Sequence, residues 1–269
     1  MKIRDNRSVA FASLAQVTDP SRGVLHPERL PTFTRLAPHR AAAELVAWFW
    51  IPQWDLPDGA ESRQPVLSYP AANLVVEPEG VTLWGATTRV SERILRGRGW
   101  AVGALLRPAA LVRLSSAPSE LVDGFVALDE PALRRAVGTT MPEQEAATAV
   151  FADWLIERVG PPTPEARLAN TMAELLTSDS AILRVDDAAA RMRVSVRTLQ
   201  RLAHRTVGLP PAAMIRRRRL QEAAHRVRDD ADPALAAIAA DLGYADQAHL
   251  AKDFRTVLGM TATQYRSGD

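Results

Sequence analysis

Residues 239–259 read AADLGYADQAHLAKDFRTVLG, and they resemble an earlier stretch of the same chain, AARMRVSVRTLQRLAHRTVG in residues 189–208. An offset of 51 residues aligns Leu199 with Leu250 and Gly208 with Gly259. In both copies an alanine pair precedes a polar turn and a second helix-patterned stretch. Two copies of one helix-turn-helix unit are therefore predicted in the last third of the chain.

Each copy marks the start of its second helix with a residue that can cap free backbone N–H groups. Ser195 holds this place in the first copy and Asp246 holds it in the second. The side-chain oxygens of Ser and Asp accept hydrogen bonds from amides of the first helical turn. The sequence therefore predicts second helices over residues 195–207 and 246–258.

The helix at 195–207 has an apolar stripe and a separate polar face, each with helical spacing. The stripe consists of Leu199, Leu202, Ala203 and Thr206, and the polar face consists of Arg197, Gln200, Arg201 and His204. Arg can bond guanine and Gln can bond adenine through paired hydrogen bonds, so this face suits readout of a DNA major groove. The same residue types are common on any solvated helix. Duplication of the whole unit favours DNA readout.

The corresponding face of the second copy carries fewer long polar side chains. The offset of 51 residues places Ala248, Ala251, Lys252 and Arg255 there, with Gln247 and His249 close by. We expect this second unit to read fewer bases than the first.

A long helix is predicted between the two units, over residues 211–228. It starts with proline, which suits a first helical turn. At roughly 1.5 Å per residue it spans about 27 Å. Recognition helices that meet one face of a duplex lie roughly 34 Å apart, so a rigid helix that holds two of them in a fixed relation is useful. The long helix contains the four arginines 216–219, and the sequence leaves open whether these contact phosphate or are simply solvated.

The preceding residues, 24–160, have a mixed pattern that predicts a β-rich domain. Short strand-like runs lie at 45–51, 67–69, 74–76, 81–84 and 100–106, and turn residues separate them. From Glu130 the pattern becomes helical, with a helix predicted over 143–159. The prolines of residues 161–164 then interrupt any helix. The predicted organisation is a β-rich domain at 1–160, a linker at 161–164 and a helical domain at 165–269, which is an α+β two-domain fold.

The composition excludes several classes of function. Cysteine is absent, which excludes disulfides, thiolate metal sites and a cysteine nucleophile. No apolar run approaches the ~20 residues of a membrane-spanning helix, and the charged residues 1–10 do not resemble a signal peptide. Residues 181–269 hold 15 Lys/Arg against 10 Asp/Glu, so the C-terminal third is basic. We expect a cytoplasmic protein without membrane contact.

The β-rich domain concentrates the aromatic residues of the chain. An apolar pocket could hold a small aromatic or hydrophobic effector, although each of these side chains could equally be core packing. The pocket candidates are Trp48, Trp50, Tyr69, Trp84 and Trp100.

The helix-turn-helix residues resemble the C-terminal domain of the AraC/XylS family of transcription regulators. The resemblance covers about the last 100 residues and rests on 194–202 (VSVRTLQRL), on 208–211 (GLPP) and most of all on 239–250 (AADLGYADQAHL) with Phe254 and Gly259. Two departures are Ala203, where the family usually has an aromatic residue, and Ala262, where it usually has proline. Residues 56–59 and 102–108 more faintly resemble the sensing domain of some of these regulators, which implies a cupin-like barrel or sandwich.

The resemblance implies a double-stranded DNA partner, with RNA polymerase as a further partner, and leaves a homodimer and activation or repression open. Its base-contacting positions correspond here to Arg197, Gln200, Arg201, Gln247, His249 and Lys252. We expect Ser195, Asp246, Arg205 and Arg255 to lie near phosphates.

Two other classes of function are an enzyme and an adaptor that binds protein. A metal-dependent enzyme built on the β-rich domain would need clustered His and carboxylate ligands, but residues 1–180 contain only His26 and His39. No phosphate loop or nucleophile motif is present either, so no catalytic residue, metal or cofactor is predicted. A partner-binding adaptor whose helices contact protein stays open, and salt-dependent retention on DNA would argue against it.

Overall fold

A computed structural model describes residues 32–229 and 234–267 of the chain. The β-strands lie between residues 32 and 128, and helices make up most of residues 131–267. The predicted α+β class is confirmed, with a β-rich N-terminal region and a helical C-terminal region. In the described ranges, no helix is both long and apolar enough to cross a bilayer.

In the part of the chain that the structure describes, nine strands form two antiparallel sheets. The strands are β1 (Thr32–Leu36), β2 (Val46–Asp55), β3 (Glu61–Val66), β4 (Asn73–Glu77), β5 (Gly80–Trp84), β6 (Ser91–Arg96), β7 (Arg98–Trp100), β8 (Val102–Leu106) and β9 (Phe125–Leu128). The larger sheet has the order β1-β2-β8-β4-β5-β9, with β7 also paired to β2. Among the described strands, β3 and β6 pair with each other and with no third strand. The small sheet therefore stands apart and can enclose space against the large one.

The large sheet has one face packed against helices. These are α1 (Pro108–Leu114), α2 (Pro131–Thr140) and α3 (Gln144–Val159). Successive side chains of a strand point to opposite faces. On β2, Phe49 and Ile51 are buried in this core, and the Phe49 ring lies 5.5 Å from that of Phe151 on α3. The other face of β2 points towards the small sheet.

The predicted strands match the structure only in part. Residues 67–69 are not a strand, and Leu67 is buried among helices of the C-terminal region. β3 and β6 were missed because their sequences, ESRQPV and SERILR, are too polar to resemble buried strands. β1 and β9 were also missed. The strands β2, β4, β5 and β8 lie close to predicted runs, because their core faces are apolar.

The C-terminal region is helical, and the helices predicted over 195–207, 211–228 and 246–258 lie within one residue of those bounds. The helices of this region are α4 (Pro164–Ser178), α5 (Val185–Met192), α6 (Val196–Thr206), α7 (Pro211–Asp229), α8 (Leu235–Asp241), α9 (Gln247–Leu258) and α10 (Ala262–Ser267). The pairs α5–α6 and α8–α9 are the two helix-turn-helix units, and each has its own core. α7 runs through both cores, with Met214 and Ile215 in the first and Leu220 and Val227 in the second.

α4 contacts both regions of the chain. Its buried face includes Met172 and Leu176, which lie in the core of the first unit. On another side, the Asn170 amide accepts a hydrogen bond from Ala109 N at 3.0 Å and donates one to Glu44 O at 2.8 Å. The helix break between Val159 and Pro164 is present, but the division into domains at residues 161–164 stays a prediction.

Each of the four arginines of α7 has a partner within the protein, and Arg217 and Arg218 are buried. Arg216 binds Asp253 of α9, Arg217 donates to Thr87 O at 2.8 Å, Arg218 donates to Ile182 O, and the Arg219 guanidinium lies 3.9 Å from the Tyr244 ring centroid. Burial lowers the pKa of Arg217 to about 10, against the raising effect of Asp123. Both sequence interpretations of this run, phosphate contact and simple solvation, are therefore wrong for its buried members, Arg217 and Arg218.

Equivalent glycines of the two repeats give a test of how the β-rich region packs on the first unit. Gly208 and Gly259 both have positive φ, +87° and +75°. A Cβ on Gly208 would lie 2.6 Å from Pro118 O, whereas a Cβ on Gly259 would meet nothing within 4 Å. Gly259→Ala should lower the free energy of unfolding by the backbone cost of roughly 1–2 kcal/mol. Gly208→Ala should cost clearly more, because the clash is added, and urea unfolding of both variants checks this. Equal losses would show that the Pro118 contact contributes nothing.

Candidate functional site

The first recognition helix, α6, presents its polar face to solvent. Ser195 caps it by accepting a hydrogen bond from Thr198 N at 3.1 Å, which confirms the predicted helix start. The apolar stripe is buried as expected, with Leu199 and Ala203 fully inaccessible. The predicted readers on this helix are all exposed, namely Arg197, Gln200 and Arg201, together with His204. Four adjacent polar side chains are therefore available to a ligand.

The second recognition helix, α9, is capped in the same way. Asp246 accepts a hydrogen bond from His249 N at 2.7 Å, which confirms the second cap. The predicted contact residues Gln247, His249, Lys252 and Arg255 are exposed. The His249 ring also lies edge-on to Tyr244, with centroids 5.2 Å apart, so its orientation is partly set by the protein.

One predicted phosphate contact is already engaged within the protein. Arg205, in the last turn of α6, forms an ion pair with Glu165 at the start of α4. Both side chains are more than half exposed, so water screens the pair and it is weak. A phosphate near Arg205 would have to compete with Glu165.

The sequence did not indicate Asp253, a buried carboxylate on α9 that pairs with Arg216 of α7. It occupies the repeat position of Leu202, where the first unit has an apolar core residue. Its carboxylate accepts two hydrogen bonds from the Arg216 guanidinium, at 2.7 and 2.8 Å. Desolvation, with a further contribution from this carboxylate, raises the pKa of the neighbouring Tyr244 hydroxyl. A charged residue in a helical apolar stripe, beside an arginine run, is the signal that could have indicated this pair.

A cavity of about 420 Å³ lies on the β-rich region between the large sheet and the β3–β6 pair. Four of the five predicted pocket residues line it, namely Trp48, Trp50, Tyr69 and Trp84. Trp100 does not line this cavity. It packs against the helix-covered core and lies beside Gly138 of α2, so its pocket assignment is wrong. Trp54, Phe33 and Arg35 also line the cavity, and of these three the sequence indicated only Trp54, as one of the aromatic residues of the β-rich region.

The segment 87–90, between β5 and β6, forms part of the cavity wall and also binds the helical region. Thr87 and Val90 both line the cavity. The carbonyl of Thr87 accepts the hydrogen bond from Arg217 of α7, and Val90 N donates to Val257 O of α9 at 2.9 Å. Asp123 holds the intervening Thr88 through its backbone N–H and its hydroxyl, both at 2.6 Å. One short segment thus touches the cavity, the long helix and the second recognition helix.

No group of three or more His, Cys, Asp or Glu residues that could bind a metal ion is found within the ranges the structure describes. His39 lies 3.2 Å from the Asp153 carboxylate, in an exposed pair. His26 lies outside the described residues.

Two family models match the chain, one in each region. A family model described as a helix-turn-helix domain matches residues 188–268. Residues 188–268 are an AraC-type helix-turn-helix domain. A second model, a domain of unknown function, matches residues 34–126. The chain is accordingly a DNA-binding transcription regulator, with the AraC-type domain as its DNA-binding part.

Solved structures give more distant likenesses. The C-terminal domain of AraT, a response regulator from Geobacillus stearothermophilus, is 21% identical, covers 40% of this chain and 87% of that chain, and has a TM-score of 0.35. ToxT from Vibrio cholerae, in the P21 form, is 11% identical over 88% of this chain and 97% of that chain, with a TM-score of 0.41. No curated protein matches the chain.

The ion pair between the AraC-type domain's long helix and its second recognition helix should show an asymmetric response to mutation. The Asp253 side chain is 6% exposed and that of Arg216 is 44% exposed. Arg216→Ala leaves a buried carboxylate without its partner and should lower the free energy of unfolding by about 2–3 kcal/mol. Asp253→Ala leaves a guanidinium that water can reach, so it should cost about 1 kcal/mol less.

Urea unfolding of both single variants and of the double variant measures the two costs and their coupling. Arg255→Ala, an exposed arginine on the same helix, is the control and should change stability little. A larger loss for Asp253→Ala than for Arg216→Ala would contradict this account of the pair.

Proposed function

We propose that the chain regulates transcription by binding a specific DNA sequence, with α6 and α9 in successive segments of the major groove. We further propose that this binding responds to a small molecule held in the β-rich region. The observation that carries the first proposal is the presence of two capped helices with exposed polar faces.

The chemistry of α6 supports sequence readout. Arg197, Gln200 and Arg201 are exposed and adjacent, and no hydrogen bond or ion pair within the described ranges occupies them. Arg and Gln can each make paired hydrogen bonds to a single base edge, at guanine and adenine respectively. α9 offers two side chains of these kinds, Gln247 and Lys252, against three on α6, together with His249. We therefore assign most of the sequence preference to α6.

The helix between the two units supports a bivalent arrangement. α7 has 19 residues, which corresponds to roughly 28 Å of helix. Its first turns belong to the core of the first unit and its last turns to the core of the second. A rigid spacer of this length suits two helices that must meet one face of a duplex about one turn, or roughly 34 Å, apart.

The cavity wall supports a response to a small molecule. A ligand that moves the segment 87–90 would act on its hydrogen bonds to Arg217 and to Val257 O, and so on both α7 and α9. A ligand shifts an equilibrium only if it binds two states differently. These contacts are a physical route by which cavity occupancy could change the placement of α9.

Removing two readers together tests the DNA interface. Arg197→Ala with Arg201→Ala should lower affinity for a selectively bound fragment by at least about 30-fold, since each good paired contact is worth roughly 1–3 kcal/mol. Binding to unrelated DNA should fall much less, because backbone contacts dominate it. The measurement is retention of genomic fragments from around the gene as salt rises. Arg135→Ala, an exposed arginine on α2, is the matched control and should bind like the original protein.

Indifference of selective binding to the double change would show that α6 is not the reading helix. Absence of salt-dependent DNA retention under every condition would instead favour an adaptor whose helices bind protein.

A further inference from the structure

Two tryptophans of β2 form a flat aromatic floor in the cavity. Trp50 pairs across the sheet with Gly103, and Trp54 pairs with Gly99. A Cβ added to Gly103 would lie 2.0 Å from the Trp50 ring, and one added to Gly99 would lie 2.3 Å from the Trp54 ring. Each ring therefore rests on the backbone of its partner strand. The side chains also line the cavity, so their opposite sides are turned towards a ligand.

The polar atoms of this floor are already bonded within the protein. Trp50 Nε1 donates to Asn73 Oδ1 at 2.9 Å, and Trp54 Nε1 donates to Arg96 O at 3.0 Å. A ligand on the floor therefore meets aromatic faces rather than hydrogen-bond donors. Offset stacking of a planar ring is the favourable way to use such faces.

The charged residues of the lining are largely compensated by the protein itself. Arg93 pairs with Glu77, and Arg63 pairs with Glu92 at 2.9 Å. Asp123 is bonded to Thr88. The Arg35 guanidinium lies 5.3–5.9 Å from the ring centroids of three aromatic residues, Phe33, Trp48 and Tyr69. A buried ligand charge would need an opposite charge of its own, and Arg89, the remaining cation, is exposed at the rim.

Thr87 has a polar side-chain atom in the cavity wall. The Thr87 hydroxyl is buried and has no hydrogen-bond partner among the described residues. A buried hydroxyl without a partner is unfavourable, and rotation of the Thr87 side chain towards the cavity would let a ligand group bond it. Thr87 is also the residue whose carbonyl binds Arg217, so the ligand would touch the cavity wall where that wall meets α7.

We propose that the cavity binds a neutral, planar aromatic molecule with one hydrogen-bonding substituent directed at the Thr87 hydroxyl. The ring stacks on Trp50, whose Nε1 bonds Asn73 opposite Trp84 of β5, and Trp54 bounds the far end of the floor. The use of this ligand as an effector rests on the proposed function, whereas its binding does not.

Four probes of similar size separate the features of this ligand. 2-Naphthol is planar and neutral with one hydroxyl, naphthalene lacks the hydroxyl, 2-naphthoate is an anion, and trans-2-decalol is saturated. Binding to the full chain is measured by tryptophan fluorescence and calorimetry. 2-Naphthol should bind at least about 10-fold more tightly than trans-2-decalol, because the saturated ring cannot stack. It should also bind at least about 10-fold more tightly than 2-naphthoate, because the carboxylate must lose its hydration.

Substitutions in the cavity localise the binding. Thr87→Val keeps the shape of the side chain and should weaken 2-naphthol about 5-fold while leaving naphthalene unchanged. Trp50→Leu should weaken both compounds. Trp100→Leu, outside the cavity, is the matched control and should weaken neither.

The proposal is overturned if no probe binds, if 2-naphthoate or trans-2-decalol binds as tightly as 2-naphthol, or if Thr87→Val has no effect. DNA retention measured on the same samples keeps the two proposals apart. Selective DNA binding without probe binding would overturn the ligand class alone. Saturable, Thr87-dependent binding that leaves DNA affinity unchanged would support the ligand class and contradict its use as an effector.

Discussion

The arrangement of this molecule depends on how α7 disposes of four consecutive positive charges. Successive residues of an α-helix point about 100° apart, so Arg216–Arg219 cannot share one solvated face. The protein instead gives each guanidinium a different partner: a carboxylate on α9, a carbonyl of the β-rich region, a carbonyl before α5 and a tyrosine ring. Because buried charges are unfavourable without partners, these contacts resist separation. α7 therefore fixes the positions of the first unit, the second unit and the β-rich region relative to one another.

Both faces of the large sheet carry large apolar side chains, but only one face is close-packed. On β2, Phe49 and Ile51 fill a close-packed core against α3, while Trp48, Trp50 and Trp54 face a cavity. Glycines on the neighbouring strands let the last two rings lie flat. The small β3–β6 sheet covers this face at a distance. Large aromatic side chains thus line a space rather than fill it.

The sequence predicted the helical region well, because its signals are local. Caps at Ser195 and Asp246, glycines after α6 and α9, and the spacing of Leu199 and Leu250 all act within one or two turns. The same reasoning failed where long-range contacts decide. β3 is polar, and its pairing with β6 could not be read from composition, while Leu67 belongs to a core formed 150 residues away in sequence by α7. For the cavity, residue type indicated the tryptophans, but only strand register separates Trp54, which lines it, from Trp100, which does not.

The contacts between the cavity wall and the helical region are made largely through main-chain atoms on the side of the wall. Thr87 contributes its carbonyl oxygen to Arg217, and Val90 contributes its amide N–H to the carbonyl of Val257. Leu67, which lies between the lining residues Val66 and Ser68, contributes its carbonyl oxygen to Gln221. Every residue has a carbonyl group, and every residue except proline has an N–H. Side chains that face the cavity can therefore be exchanged during evolution while these three hydrogen bonds persist. The ligand preference of such a cavity can therefore change in evolution while its hydrogen bonds to α7 and α9 are kept.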